Sequence, residues 1–202
     1  MKLFIKPLVF LLCLVPLGLL VWGFMNDELG ANPFEVLTRD SGEWTLRFLL
    51  LTLVMTPLRN LLQQAWPLKY RRMFGLFTFF YACFHLLTYL WFDQFFDWQE
   101  IWVDILKRPF ITAGMFAWLL LLPLALTSTK AMMKKLGKRW KTLHRSVYLI
   151  GILGVLHFTM LVKADLREPL IYAVILLVLL GYRYLKSQKQ KNRRSTASQT
   201  AA

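Results

Sequence analysis

Six apolar stretches dominate this chain, at residues 3–24, 44–62, 74–92, 110–126, 146–162 and 170–185. Each is close to the roughly twenty residues a helix needs to cross about 30 Å of hydrocarbon. No water in lipid satisfies backbone N–H and C=O groups, so a spanning segment is either a helix or part of a closed barrel. The stretches lack the short apolar–polar alternation of barrel strands, so the chain is predicted to be all-α, an integral membrane bundle of six transmembrane helices. A composition of 57% hydrophobic and 18% charged residues agrees with that class. The N-terminus begins like a signal peptide, with Lys2 and Lys6 ahead of an apolar core, but that core is too long and no small-x-small cleavage site precedes Asn26. It reads as a retained span. Cys13 and Cys83 both fall inside spans, which suits membrane-packed thiols better than an extramembrane disulfide.

The net charge of +14 is distributed by loop. Arg59, Lys69, Arg71 and Arg72 lie between spans two and three. Seven basic residues from Lys130 to Arg145 lie between four and five, and six from Arg183 to Arg194 close the chain. The first loop carries Asp27, Glu28, Glu35, Asp40 and Glu43, and the third carries Asp93, Asp97, Glu100 and Asp104. In the fifth, Lys163 and Arg167 are offset by Asp165 and Glu168. This alternation is the positive-inside pattern and puts both termini in the cytoplasm. The basic charge is therefore topological, and no nucleic-acid partner is expected. Trp22, Trp44, Trp66, Trp91, Trp98 and Trp102 near span ends fit an interfacial aromatic belt. Residues 1–185 form one membrane domain, and the basic, polar tail 186–202 reads as disordered. No loop is long enough to fold as a soluble catalytic domain, and no phosphate loop, CxxC, zincin or nucleophile-elbow motif is present.

The only three histidines, His85, His144 and His157, lie in or at the edge of these spans. Ionisable groups there are functional candidates, and neutral imidazole is a common ligand for haem iron. A purely structural interhelical hydrogen bond is the competing reading. His85 lies eight residues before Asp93, about 12 Å along a helix, and His157 six residues before Lys163, about 9 Å. Both then occupy the outer half of the membrane on different helices, where facing imidazoles can clamp a haem. His144 lies thirteen residues before His157, about 20 Å further in and about 140° around the helix, so the two do not share a face.

A single histidine in RRMFGLFTFFYACFHLLTY, the KRPFITAG run and LGKRWKTLHRSVYLIGILGVLHF resemble the ferric-reductase-like transmembrane superfamily, which includes ferric reductases and NADPH oxidases. Within it, the chain is similar over residues 1–185 to the haem-binding membrane subunits of bacterial periplasmic methionine sulfoxide reductase systems. The resemblance implies a non-catalytic electron-transfer subunit of the bacterial inner membrane, carrying haem b with FMN also associated. Electrons would come from the quinone pool or a cytoplasmic flavin reductase. They would pass to MsrP, a periplasmic molybdopterin enzyme that repairs oxidised proteins. It further implies His85 and His157 as ligands of an outer haem and His144 as a ligand of an inner one. Superfamily members with two haems carry a second histidine in span three, near the place where this chain has Arg71 and Arg72. Those arginines suit a haem propionate or an FMN phosphate, and topology explains them equally well. The acidic and aromatic third loop is a candidate docking surface, with an interfacial, topological role as the alternative. A small membrane permease or assembly factor with structural histidines is the other functional reading, and a haem spectrum separates the two.

Overall fold

A computed structural model describes the backbone of residues 2–162 and 165–200, and side chains from 5 to 162 and from 165 to 192. Met1, Lys163, Ala164, Ala201 and Ala202 lie outside the described residues. The elements are α1 (Lys2–Met25), α2 (Pro33–Leu62), α3 (Trp66–Thr88) with a π-helical turn Tyr89–Asp93, α4 (Trp98–Lys107) and α5 (Pro109–Leu126). Then come α6 (Lys130–Leu136), α7 (Lys138–Leu143), a 3₁₀ turn His144–Ser146, α8 (Val147–Leu161) and α9 (Arg167–Thr200). No strand occurs among the described residues, and six helices are long and apolar enough to cross a membrane.

The helices start where local chemistry dictates. Asn32 caps α2 by accepting from the Glu35 amide at 3.3 Å, and Pro33 supplies a preset φ at the first position. Asp97 caps α4 through the amides of Gln99 and Glu100. Thr129 caps α6, and Gly137 at φ +51° makes the break between α6 and α7.

Several helices outrun the apolar stretches. α2 begins at Pro33, so Glu35, Asp40 and Glu43 of the expected first loop are helical residues, and Glu43 pairs with Arg47 at 2.6 Å. α3 begins at Trp66, which puts Lys69, Arg71 and Arg72 on its first turns. α9 runs on to Thr200 through the segment that composition reads as disordered. That segment contains neither Gly nor Pro, so nothing in it stops a helix already nucleated by the span. Pro16, Pro57 and Pro123 lie inside helices as expected.

α2 packs most extensively on α3, and α5 on α8; α9 lies against α8 and α2. One core cluster joins these elements around Leu53, Leu121 and Ile150. A second ties in α1 through Cys13, Phe48, Phe77 and Tyr81. The Tyr81 hydroxyl donates to the Cys13 carbonyl at 2.9 Å and accepts from the Leu17 amide at 3.1 Å, groups one turn apart beside Pro16. Trp44 departs from the aromatic belt: it is half-buried against Phe48 and Tyr81, because α2 starts well before it. Trp22, Trp66, Trp91, Trp98 and Trp102 remain exposed.

Candidate functional site

Two cavities lie one above the other between the helix pairs α2–α3 and α5–α8. The larger, about 680 Å³, opens toward the end of the bundle bearing Asp93 and Arg108. The smaller, about 220 Å³, lies toward the end bearing Arg71 and Arg72. Leu49, Thr78 and Leu121 line both and form the wall between them.

His85 and His157 enter the large cavity from α3 and α8, with ring centroids 6.0 Å apart and planes at 78°. Each imidazole is held in the same way. The Nδ1–H of His85 donates to the Thr38 carbonyl at 2.7 Å, and that of His157 to the Phe110 carbonyl at 2.7 Å. A carbonyl only accepts, so both rings carry their proton on Nδ1 and keep a lone pair on Nε2. One turn beyond each carbonyl stands a glycine. A Cβ on Gly42 would lie 2.9 Å from Cε1 of His85, and one on Gly114 would lie 2.9 Å from Nδ1 of His157. Hydrogen in place of a side chain lets each ring lie against the partner helix.

The repetition extends further. Phe110, Gly114 and His157 follow Thr38, Gly42 and His85 by 72 residues each, and Leu121 and Ile150 follow Leu49 and Thr78 by the same interval. The cavity walls are thus two copies of one helix hairpin facing each other. Sequence reasoning missed Thr38, Gly42, Phe110 and Gly114; the legible signal was a Gly-to-His spacing of 43 that occurs twice.

His144 is not part of this pair. It belongs to the small cavity, where its Nε2 lies 3.1 Å from the Thr127 hydroxyl and its ring stacks on Trp140 at 4.0 Å. Arg71 and Arg72 line the same small cavity and not the large one. Arg72 contacts the Ser128 carbonyl at 3.4 Å, and Arg71 the Thr56 hydroxyl at 3.5 Å. The arginines that do line the large cavity are Arg39 and Arg108.

The family described as "Ferric reductase like transmembrane component" matches residues 41–155, which hold the whole lining of the small cavity and most of that of the large one, with Thr38, Arg39 and His157 just outside the match. Curated relatives match nearly end to end. The chain is 48% identical to the "Protein-methionine-sulfoxide reductase heme-binding subunit MsrQ" of Herminiimonas arsenicoxydans, covering 98% of this chain and 92% of that one. It is 54% identical to the protein of the same name from Rhodospirillum rubrum, over 91% and 88% of the two chains. The chain belongs to the MsrQ family. It is a multi-pass membrane protein of the ferric-reductase-like type. No solved structure matches it.

In this MsrQ-family chain the acids of the third loop have distinct local tasks. Asp97 caps α4. Asp104 is buried, accepts from Gln94 at 2.7 Å and Tyr89 at 3.3 Å, and pairs with Arg108 at 3.2 Å. Asp93 lines the large cavity. Glu100 is exposed, on the same short helix as the exposed Trp98 and Trp102.

Proposed function

We propose that this chain carries a b-type haem between His85 and His157 and relays electrons across the bacterial inner membrane to a periplasmic methionine sulfoxide reductase, MsrP. FMN serves as a further carrier, and electrons enter from the quinone pool or a cytoplasmic flavin reductase. In this reading both termini are cytoplasmic and the large cavity opens toward the periplasm, as the loop charges favour. The observation that carries the proposal is the facing pair of imidazoles, each oriented by a carbonyl so that Nε2 is the free nitrogen.

The residues fit the group. Two metal–imidazole bonds of about 2 Å, extended to the ring centres, span about 6 Å, which agrees with the observed separation. Among the described residues no three His, Cys, Asp or Glu side chains come together as a bare metal site. Two imidazole nitrogens would suit an iron carried within a haem better than a bare ion. The cavity volume falls within the roughly 300–1,000 Å³ usual for ligand sites. Two of its lining residues hold buried polar atoms without a protein partner, Thr38 Oγ1 and Trp118 Nε1, and such atoms call for a ligand or water.

When bound, the haem supplies one-electron reduction and reoxidation. The chain's own part is to hold and tune it. His85 and His157 would hold the haem iron through Nε2, and a haem held by two imidazoles would supply electron transfer rather than oxygen chemistry. The Thr38 and Phe110 carbonyls fix the tautomer of each imidazole and raise its basicity. Arg39 and Arg108 are suited to the propionates at the mouth, since a guanidinium fork matches a carboxylate. Leu46, Leu49 and Leu121 supply most of the apolar surface of the inner part of the cavity, beside Thr78.

Absorption and EPR spectra of the purified protein test the reading. Wild type gives a low-spin six-coordinate signal, His85→Ala and His157→Ala each abolish it, and His144→Ala leaves it intact. Full haem with an unchanged spectrum in His85→Ala overturns it.

A further inference from the structure

The 72-residue repeat that relates His157 to His85 sets Glu43 and Arg47 of α2 against Met115 and Leu119 of α5. Met115 lines the large cavity as Glu43 does, and Leu119 is exposed on the outside of the bundle. One hairpin thus builds this part of its wall from side chains suited to hydrocarbon, and the other puts an ion pair there. Arg47 falls inside the second apolar stretch and Glu43 at its outer end, where charged groups are costly and are functional candidates. Arg47 donates to the Glu43 carboxylate at 2.6 Å and, through Nε, to the Tyr172 hydroxyl of α9 at 2.9 Å. Its guanidinium lies 4.7 Å from the centre of the Trp44 ring. The Glu43 side chain is 11% exposed, against 37% for Arg47. Stability does not account for the pair, since an i,i+4 pair adds little to a helix and desolvating two charges costs free energy. Met115 and Leu119 show that a hairpin of this kind closes without it.

We propose that Glu43 is a fixed negative charge that lowers the midpoint potential of the haem site, with Arg47 and Tyr172 holding the carboxylate in place. This deepens the function proposed above and rests on its haem reading. The pair is oriented: Glu43 lines the cavity and Arg47 does not, so the negative end is the one nearer the site. The same turn of α2 that seats the His85 ring on Gly42 therefore delivers the charge. A ferric haem carries one more positive charge than a ferrous one, so a carboxylate beside it favours the ferric state. Little solvent reaches the Glu43 side chain, so that interaction is weakly screened. Arg39, a cation on the same cavity wall, acts in the opposite sense but is about half exposed. The repeat has thus kept the imidazoles in both hairpins and added a tuning charge to one. A lower potential makes the site a stronger electron donor toward the outer end of the bundle.

The test is potentiometric titration of the full-length, haem-loaded protein in nanodiscs at pH 8, with the low-spin EPR signal recorded in the same samples. Glu43→Gln is expected to raise the midpoint. At a fixed ambient potential the ferric-to-ferrous ratio falls on the order of tenfold, which is about 59 mV for one electron. Unlike the shift in Arg39→Gln, this one persists at high salt, because the side chain is largely buried. Glu43→Met/Arg47→Leu copies the other hairpin and is expected to fold; it raises the midpoint by less, since both ends of the pair are gone. The double variant decides. An unchanged or lowered midpoint there, with the low-spin signal intact, overturns the proposal, because any shift in Glu43→Gln then comes from the stranded Arg47. Loss of haem from the double variant also overturns it and makes the pair a structural support. A wild type without the His85–His157 signal is instead a failure of the haem reading, so the two failures register separately.

Discussion

Gly42 is the floor on which the His85 imidazole rests: a Cβ built there would stand 2.9 Å from Cε1 and 3.1 Å from Nδ1. Real Cβ atoms do not approach a ring so closely, so Gly42→Ala pushes the imidazole off the Thr38 carbonyl. Overpacking of this kind costs about 1–3 kcal/mol. The expected outcome is a changed low-spin EPR signal and reduced haem retention at near-normal expression. Gly114→Ala acts the same way on His157. Gly18→Ala, where a Cβ meets nothing within 4 Å, is the control and leaves the spectrum unchanged. Normal signals in both Gly42→Ala and Gly114→Ala count against the glycine device.

Arg39 lines the large cavity and has Asp40 as its salt-bridge partner at 3.4 Å. Ferric haem carries one more positive charge than ferrous, so a nearby cation disfavours the oxidised state. Arg39→Gln is therefore expected to lower the haem midpoint potential, and the shift shrinks at high salt because the side chain is about half exposed. Potentiometric titration measures both. A raised or unchanged potential removes Arg39 from the propionate role.

The third-loop carboxylates separate by function. Asp104→Ala strands Gln94 and Tyr89 and breaks the pair with Arg108, which is expected to cost about 1–3 kcal/mol and lower the melting temperature by several degrees. Glu100→Gln leaves stability unchanged. If this helix receives the reductase, Glu100→Gln weakens the salt dependence of haem reoxidation, whereas Asp104→Ala acts through stability. Thermal melts beside stopped-flow reoxidation distinguish the two.

A reporter fused after Ala202 is expected to be active only in the cytoplasm, since the basic end of α9 follows the last span. Truncation after Leu185 leaves the haem spectrum intact, because neither cavity is lined by any residue beyond Leu161. Periplasmic reporter activity, or loss of haem on truncation, contradicts this arrangement.

The sequence by itself determined the class and the depth of its parts. Hydrocarbon tolerates only internally bonded backbone, so six long apolar runs meant six helices, and the helical rise alone put His85 and His157 at one level and His144 at another. It did not determine helix ends, because α2 and α3 continue through polar residues whose backbone stays hydrogen-bonded beyond the apolar core; Trp44 changed from belt to interior for that reason. Only the tertiary structure decided which carbonyl each imidazole meets, since Thr38 and Phe110 lie 47 residues away in the chain and act through main-chain atoms that side-chain identity does not reveal. The same holds for Arg71 and Arg72. Their charge was plain in the sequence, but their place in a cavity separate from the His85–His157 pair follows from how the two hairpins face each other. That depends on close packing at Gly42 and Gly114, where what matters is the absence of a side chain.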